Sequence, residues 1–192
     1  MEFYLGKDKV AEFIKLHKGY DDIQALRASY QVKIFIRSII YMFLIGTILW
    51  FAGQLKECLI LFITYKFYRA NAGGIHIKGY IKCFVSSLFI IAFTIFISNL
   101  IHLHLLLELL LILYVFIIWF YLVPQGTSQR PIRRAEEKKK LKTKMLLLIL
   151  LTIAIRFINT YIYTLALWSL VITLTLITPL IYKVLKVKHD RM

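Results

Sequence analysis

His76 and Cys83 are the side chains whose types and spacing could do chemistry together. Both lie in one polar stretch, Arg69-Ala70-Asn71-Ala72-Gly73-Gly74-Ile75-His76-Ile77-Lys78-Gly79-Tyr80-Ile81-Lys82-Cys83, between two apolar runs. A cysteine attacks as its thiolate and needs its pKa lowered to do so. Three sources of help are at hand. The third apolar run begins at Cys83, so the thiol is expected in the first turn of a helix, where free N–H groups favour negative charge. Lys78 and Lys82 are close in sequence. His76 is a base of the kind that activates thiols. On a straight helix the two residues would stand about 10 Å apart along the axis, too far for a hydrogen bond. The chain must bend between them, and Gly73, Gly74 and Gly79 tolerate the backbone angles a sharp turn needs. The same residues would also make an interfacial loop with an incidental histidine and cysteine, and chemistry alone leaves both readings open.

Whatever this stretch does, apolar segments position it. The 192 residues are 60% hydrophobic, above the roughly half found in soluble domains. The excess collects in runs near the length that crosses a hydrocarbon core. An all-α integral membrane protein of about six transmembrane helices is predicted, a single membrane domain over residues 1–192. The runs are Ile34–Ala52, Cys58–Tyr68, Phe84–Leu100, Leu103–Val123, Met145–Tyr163 and Thr164–Tyr182. The second is short, which suits a partly re-entrant piece. Ahead of them, Val10, Phe13, Ile14, Ile23 and Leu26 recur at helical spacing among lysines, which predicts an amphipathic helix on the membrane surface within an interfacial arm of residues 1–30. No cleavable signal peptide is expected, because a polar-mixed stretch precedes the first apolar run.

The net charge of +15 avoids the apolar runs. It collects at the N-terminus, in the polar stretch, in a basic loop over residues 124–144 and in the tail. That loop carries eight basic side chains against two acidic ones. With six crossings, every strongly basic stretch falls on one side, so both termini and the loop are expected in the cytoplasm. Nucleic acid is a poor partner, since no soluble basic domain presents the charge; the lipid bilayer is the expected one. Cys58 and Cys83 sit near opposite ends of the second run, so no disulfide is expected, and Cys58 reads as a small core residue. His102 and His104 share a turn without the three or four ligands zinc needs, so neither a metal site nor a cofactor is predicted. Glu108 and Arg156 are ionisable groups inside predicted spans, expected at similar depth and paired across the bundle.

Arg69, Gly73-Gly74, His76 and Cys83 resemble the motif of the accessory gene regulator protein B (AgrB) family: an Arg, then Gly-Gly-x-His, then a Cys seven residues after the His. The multi-span basic profile and the later loop with Pro124 and Pro131 are similar too. The resemblance implies a membrane cysteine endopeptidase in the bacterial cell membrane. Such a protein removes the C-terminal part of a small AgrD-like pro-peptide and cyclises the rest into a thiolactone or lactone quorum-sensing signal. It implies Cys83 as nucleophile and His76 as general base and acid. Between the prolines, Gln125-Gly126-Thr127-Ser128-Gln129-Arg130 replaces the usual Asx-containing stretch, and Gln129 or Ser128 is the candidate for a third, orienting residue. Arg133, Arg134 and Lys138 are candidates to hold the acidic tail of the substrate. A second copy of the chain is admitted as a partner. A non-enzymatic transporter or assembly factor is the alternative; for a transporter, broken helices or paired charges near mid-membrane, often in related halves, would be the sign, and this chain offers Arg156 and Glu108 and no repeat.

Overall fold

The computed structural model describes residues 9–73, 80–101, 103–126 and 135–184. The regular elements among them are α1 Lys9–Lys18, α2 Asp22–Phe51, α3 Leu55–Ala72, α4 Tyr80–Leu100, α5 Leu105–Leu122, α6 Ala135–Ile155, α7 Thr160–Thr175 and α8 Pro179–Val184. They fall into two compact units, Met1–Ile48 and Leu49–Met192.

In the first unit the expected single amphipathic helix is two. Gly19, at φ +64°, closes α1 with its N–H on the Lys15 carbonyl at 3.1 Å. Asp21 then opens α2: its carboxylate accepts from the Gln24 N–H at 2.6 Å while the Gln24 side chain accepts from the Asp21 N–H at 3.4 Å. This reciprocal cap fixes a helix start, so Ile23 and Leu26 belong to α2. Lys15 and Asp22 pair at 2.5 Å across the break.

The second unit is built around α7. Tyr163 and residues 165–171 are buried, and α7 packs against α3, α4, α5 and α6. A helix apolar on all sides belongs at the centre of a bundle. Its neighbours are fixed to it and to each other by side-chain hydrogen bonds. Thr64 reaches Ser169 at 3.4 Å, Tyr68 meets Thr152 at 2.7 Å, and Tyr114 meets Thr175 at 3.0 Å. The core joins Tyr68 and Ala72 of α3, Val115 of α5, Met145 and Ile149 of α6, and Leu167, Leu170 and Leu174 of α7.

Several boundaries differ from those read from hydropathy. The second apolar segment is a full helix of 18 residues, extended at both ends by polar residues. The basic loop is helical from Ala135 onward, because Ala, Glu and Lys are strong helix formers whatever their polarity. The fifth run ends at Ile155: a turn follows, and the Asn159 side chain accepts from the Ile162 N–H at 3.0 Å to start α7. Pro179 lacks an N–H to continue the helix, and α7 gives way to α8. Leu105–Leu122 is long and apolar enough to cross a membrane, and shorter apolar helices run over Ser38–Phe51, Phe84–Leu100 and Thr160–Thr175.

Candidate functional site

Arg69 stands in the last turn of α3. Its guanidinium donates to the Tyr65 hydroxyl at 3.0 Å and lies 5.7 Å from the centre of that ring, close enough for a cation–π contact. The tyrosine four residues before Arg69 was the available signal for this arrangement, since such pairs face each other on a helix.

The end of α3 is built by Gly73. Its N–H closes the last helical bond on the Arg69 carbonyl at 3.1 Å. Its own angles, φ +85° and ψ −154°, lie in a region essentially confined to glycine. The last four carbonyls of a helix have no partner inside it. Ala72 finds one outside: its carbonyl accepts from the Gln125 N–H at 2.9 Å. Gly73 and Gln125 form a parallel β-bridge. A Cβ on Gly73 would stand 2.0 Å from the Gln125 carbonyl oxygen, so the contact admits glycine alone. The polar stretch after α3 and the proline-containing stretch after α5 therefore meet, main chain to main chain. Gln125 was not singled out from the sequence; nothing in a glycine pair tells which distant backbone it approaches.

Gln125 is itself held. Val123 is buried. Lys142 of α6 donates to the Phe120 carbonyl at 2.7 Å and lies over the Phe120 ring at 4.9 Å, while the Trp119 indole N–H donates to the Lys142 carbonyl at 3.0 Å. The lysine occupies one of the open carbonyls at the end of α5 and ties that end to α6.

Cys83 is in the first turn of α4, the helical position expected for it. His76, Gly74, Gly79, Ser128, Gln129, Arg133 and Arg134 lie outside the described residues. Lys138 is in the first turn of α6. Cys58 is a buried free thiol. His104 precedes α5, its carbonyl accepting from the Glu108 N–H at 2.9 Å, and among the described residues no three potential metal ligands cluster.

At the other end of the bundle, Glu108 and Arg156 pair at 2.8 Å. The Tyr163 hydroxyl donates to the same carboxylate oxygen at 2.7 Å. The partners and their shared depth are those expected; both stand at helix ends, Glu108 in the first turn of α5 and Arg156 in the turn after α6. The Tyr161 hydroxyl donates to Glu57 at this end too.

No solved structure matches the chain. A protein designated AgrB-like from Clostridium acetobutylicum is 27% identical over 184 residues, covering 93% of this chain and 88% of the relative. The family model of accessory gene regulator B matches residues 7–181. The chain thus belongs to the accessory gene regulator B family, which is involved in processing the agr quorum-sensing peptide and takes an AgrD-like pro-peptide as partner.

Proposed function

We propose that this protein is a membrane-embedded cysteine endopeptidase that cleaves its pro-peptide through an acyl-enzyme and cyclises the remainder. The observation that carries the reading is the place of Cys83 in the first turn of α4, ten residues after the glycine break that ends α3. Free N–H groups at a helix start stabilise a thiolate.

In this mechanism His76 takes the thiol proton and the Cys83 sulfur attacks the scissile carbonyl. The C–N bond breaks, His76 returns the proton to the departing amine, and a thioester remains. A thiol or hydroxyl within the substrate then attacks that thioester as His76 takes its proton, and Cys83 leaves as thiolate. The second step exchanges one ester-like bond for another and is nearly balanced when a thiol attacks. The first is uphill, so loss of the released tail draws it forward. Water must be kept from the thioester, which a site at the face of a bilayer favours. Ser128 or Gln129 would orient His76.

The charge distribution supports an orientation. Arg69, the lysines of the first half of α6 and Lys183 share the end that carries Gly73 and Gln125, and basic ends face the cytoplasm. The chain would then cross the membrane about six times with both termini inside. Arg133, Arg134 and Lys138 would hold the acidic tail of the substrate by charge complementarity.

The test is co-expression with the pro-peptide, with products followed by mass spectrometry. Cys83→Ala and His76→Ala should insert normally and release neither tail nor ring. Full processing by Cys83→Ala would sink the proposal.

A further inference from the structure

We infer that Gly73 and the main chain of Gln125 form a positioning clamp, which sets the course of the chain from α3 toward the proposed catalytic pair; this rests on the thiol reaction proposed above.

Gly73 is unlike the other glycines with positive φ among the described residues. Gly19 and Gly53 sit at φ +64° and +71°, and an added Cβ at either would meet nothing within 4 Å. They are open turns. At Gly73 the missing Cβ is replaced by the Gln125 carbonyl. A helix end that needed only a cap could leave its carbonyls to water. Here the Ala72 carbonyl is committed to an N–H brought from the stretch after α5. That N–H comes from a stretch anchored twice, by buried Val123 and by the α5–α6 contacts of Trp119, Phe120 and Lys142. Ala72 is fully buried, so its carbonyl has no water to turn to instead. Two residues separate Gly73 from His76 in sequence. The direction in which the chain leaves Gly73 is thus fixed by Gln125, not by α3. Gly73 and Gln125 touch no reacting atom in this scheme, and act as positioning residues.

A clamp of this kind acts on turnover more than on substrate binding. A displacement of about 1 Å can cost on the order of 100-fold in rate. The experiment compares Gly73→Ala, Gln125→Pro, Gln125→Ala and Gly53→Ala, each in membranes and normalised to inserted protein. Gly73→Ala pushes the carbonyl away, and Gln125→Pro removes the N–H that Ala72 accepts. Both should lower kcat by about 100-fold with KM within about twofold. Gln125→Ala keeps the main-chain groups and should restore turnover. Gly53→Ala tests positive φ without the close contact and should turn over normally.

A second readout separates positioning from general damage. Alkylation of Cys83, mapped by mass spectrometry across pH, should begin well below the ordinary thiol pKa of about 8.5 in the wild type and shift up toward it in Gly73→Ala. Wild-type turnover and an unshifted alkylation profile in Gly73→Ala overturn the clamp. Should Gly73→Ala fail to insert, the Gln125→Pro and Gln125→Ala pair decides by the same two readouts, and equal activity of that pair overturns the clamp. The failure of the underlying reading looks different: Cys83→Ala would still process the peptide, and wild-type Cys83 would alkylate as an ordinary thiol.

Discussion

Glu108 is the buried charge among the described residues of the bundle, and two partners share one of its oxygens. Arg156 Nε and the Tyr163 hydroxyl both meet Oε1. The Glu108 side chain is 5% exposed and that of Arg156 is 42% exposed. Removing the arginine leaves a buried carboxylate with the tyrosine alone, a loss that can reach 3–5 kcal/mol in a fully buried pair. Arg156 is half in solvent, so the pair is screened and about 2 kcal/mol is expected for Arg156→Gln. Glu108→Gln keeps an acceptor for Tyr163 and should cost less. The double variant should be more stable than the sum of the single losses, because neither charge is then stranded. Thermal unfolding in detergent checks this, and strictly additive losses would show that the two charges do not support each other. The partners were legible in the sequence because ionisable groups in apolar runs are few and tend to pair. So was their shared depth. The turn at Arg156 was not: it interrupts an apolar run whose composition does not change, so the run reads as one span.

Helix ends in this fold are written in short polar signals that average hydropathy smooths away. Asn159 is a clear case, since its side chain caps the Ile162 N–H and so separates α6 from α7. Asn159→Ala should destabilise the protein by about 1 kcal/mol and Asn159→Asp or Asn159→Ser by much less, measured as a shift in unfolding midpoint; equal losses in all three would mean the cap is idle. The Asp21–Gln24 cap hid in the same way inside what reads as one amphipathic stretch. The centre of each apolar helix was legible, because composition decides it. The start of α6 was not, because ten charged or polar-mixed residues in an Ala-Glu-Lys context form helix as readily as loop. At the candidate site, Gly73 announced the break that ends α3, and Cys83 in a first helical turn was legible from the onset of the apolar run. That Gly73 needs Gln125 was not legible: it depends on a backbone approach between segments about 50 residues apart, and a main-chain contact leaves no mark on side-chain type.

At the scale of the whole molecule, the question is what solvent the second unit is built for. Its outer surface answers in part. Leu106, Leu109, Leu113, Ile117 and Phe120 of α5 are all exposed and lie along one side of that helix, while α3 adds Leu59, Ile63 and Phe67 at helical spacing. Water would penalise so much bare apolar area. A bilayer would not, provided the backbone bonds are kept inside the helices. Charge then has to be confined to the ends, as it is for Lys142, Arg156 and Glu108. Leu113 is midway along α5 and makes the sharpest test. Leu113→Arg puts a charge where a bilayer would be driest, at a cost of about 2.5–3.5 kcal/mol for insertion of that helix. The expected result is loss of the protein from the membrane fraction and loss of peptide processing together. If a second copy covers this face instead, Leu113→Arg should abolish cross-linking between copies while leaving the chain in the membrane. Recovery of wild-type protein folded and soluble without detergent would reject the bilayer reading, and with it the water-poor setting proposed for the thioester at Cys83.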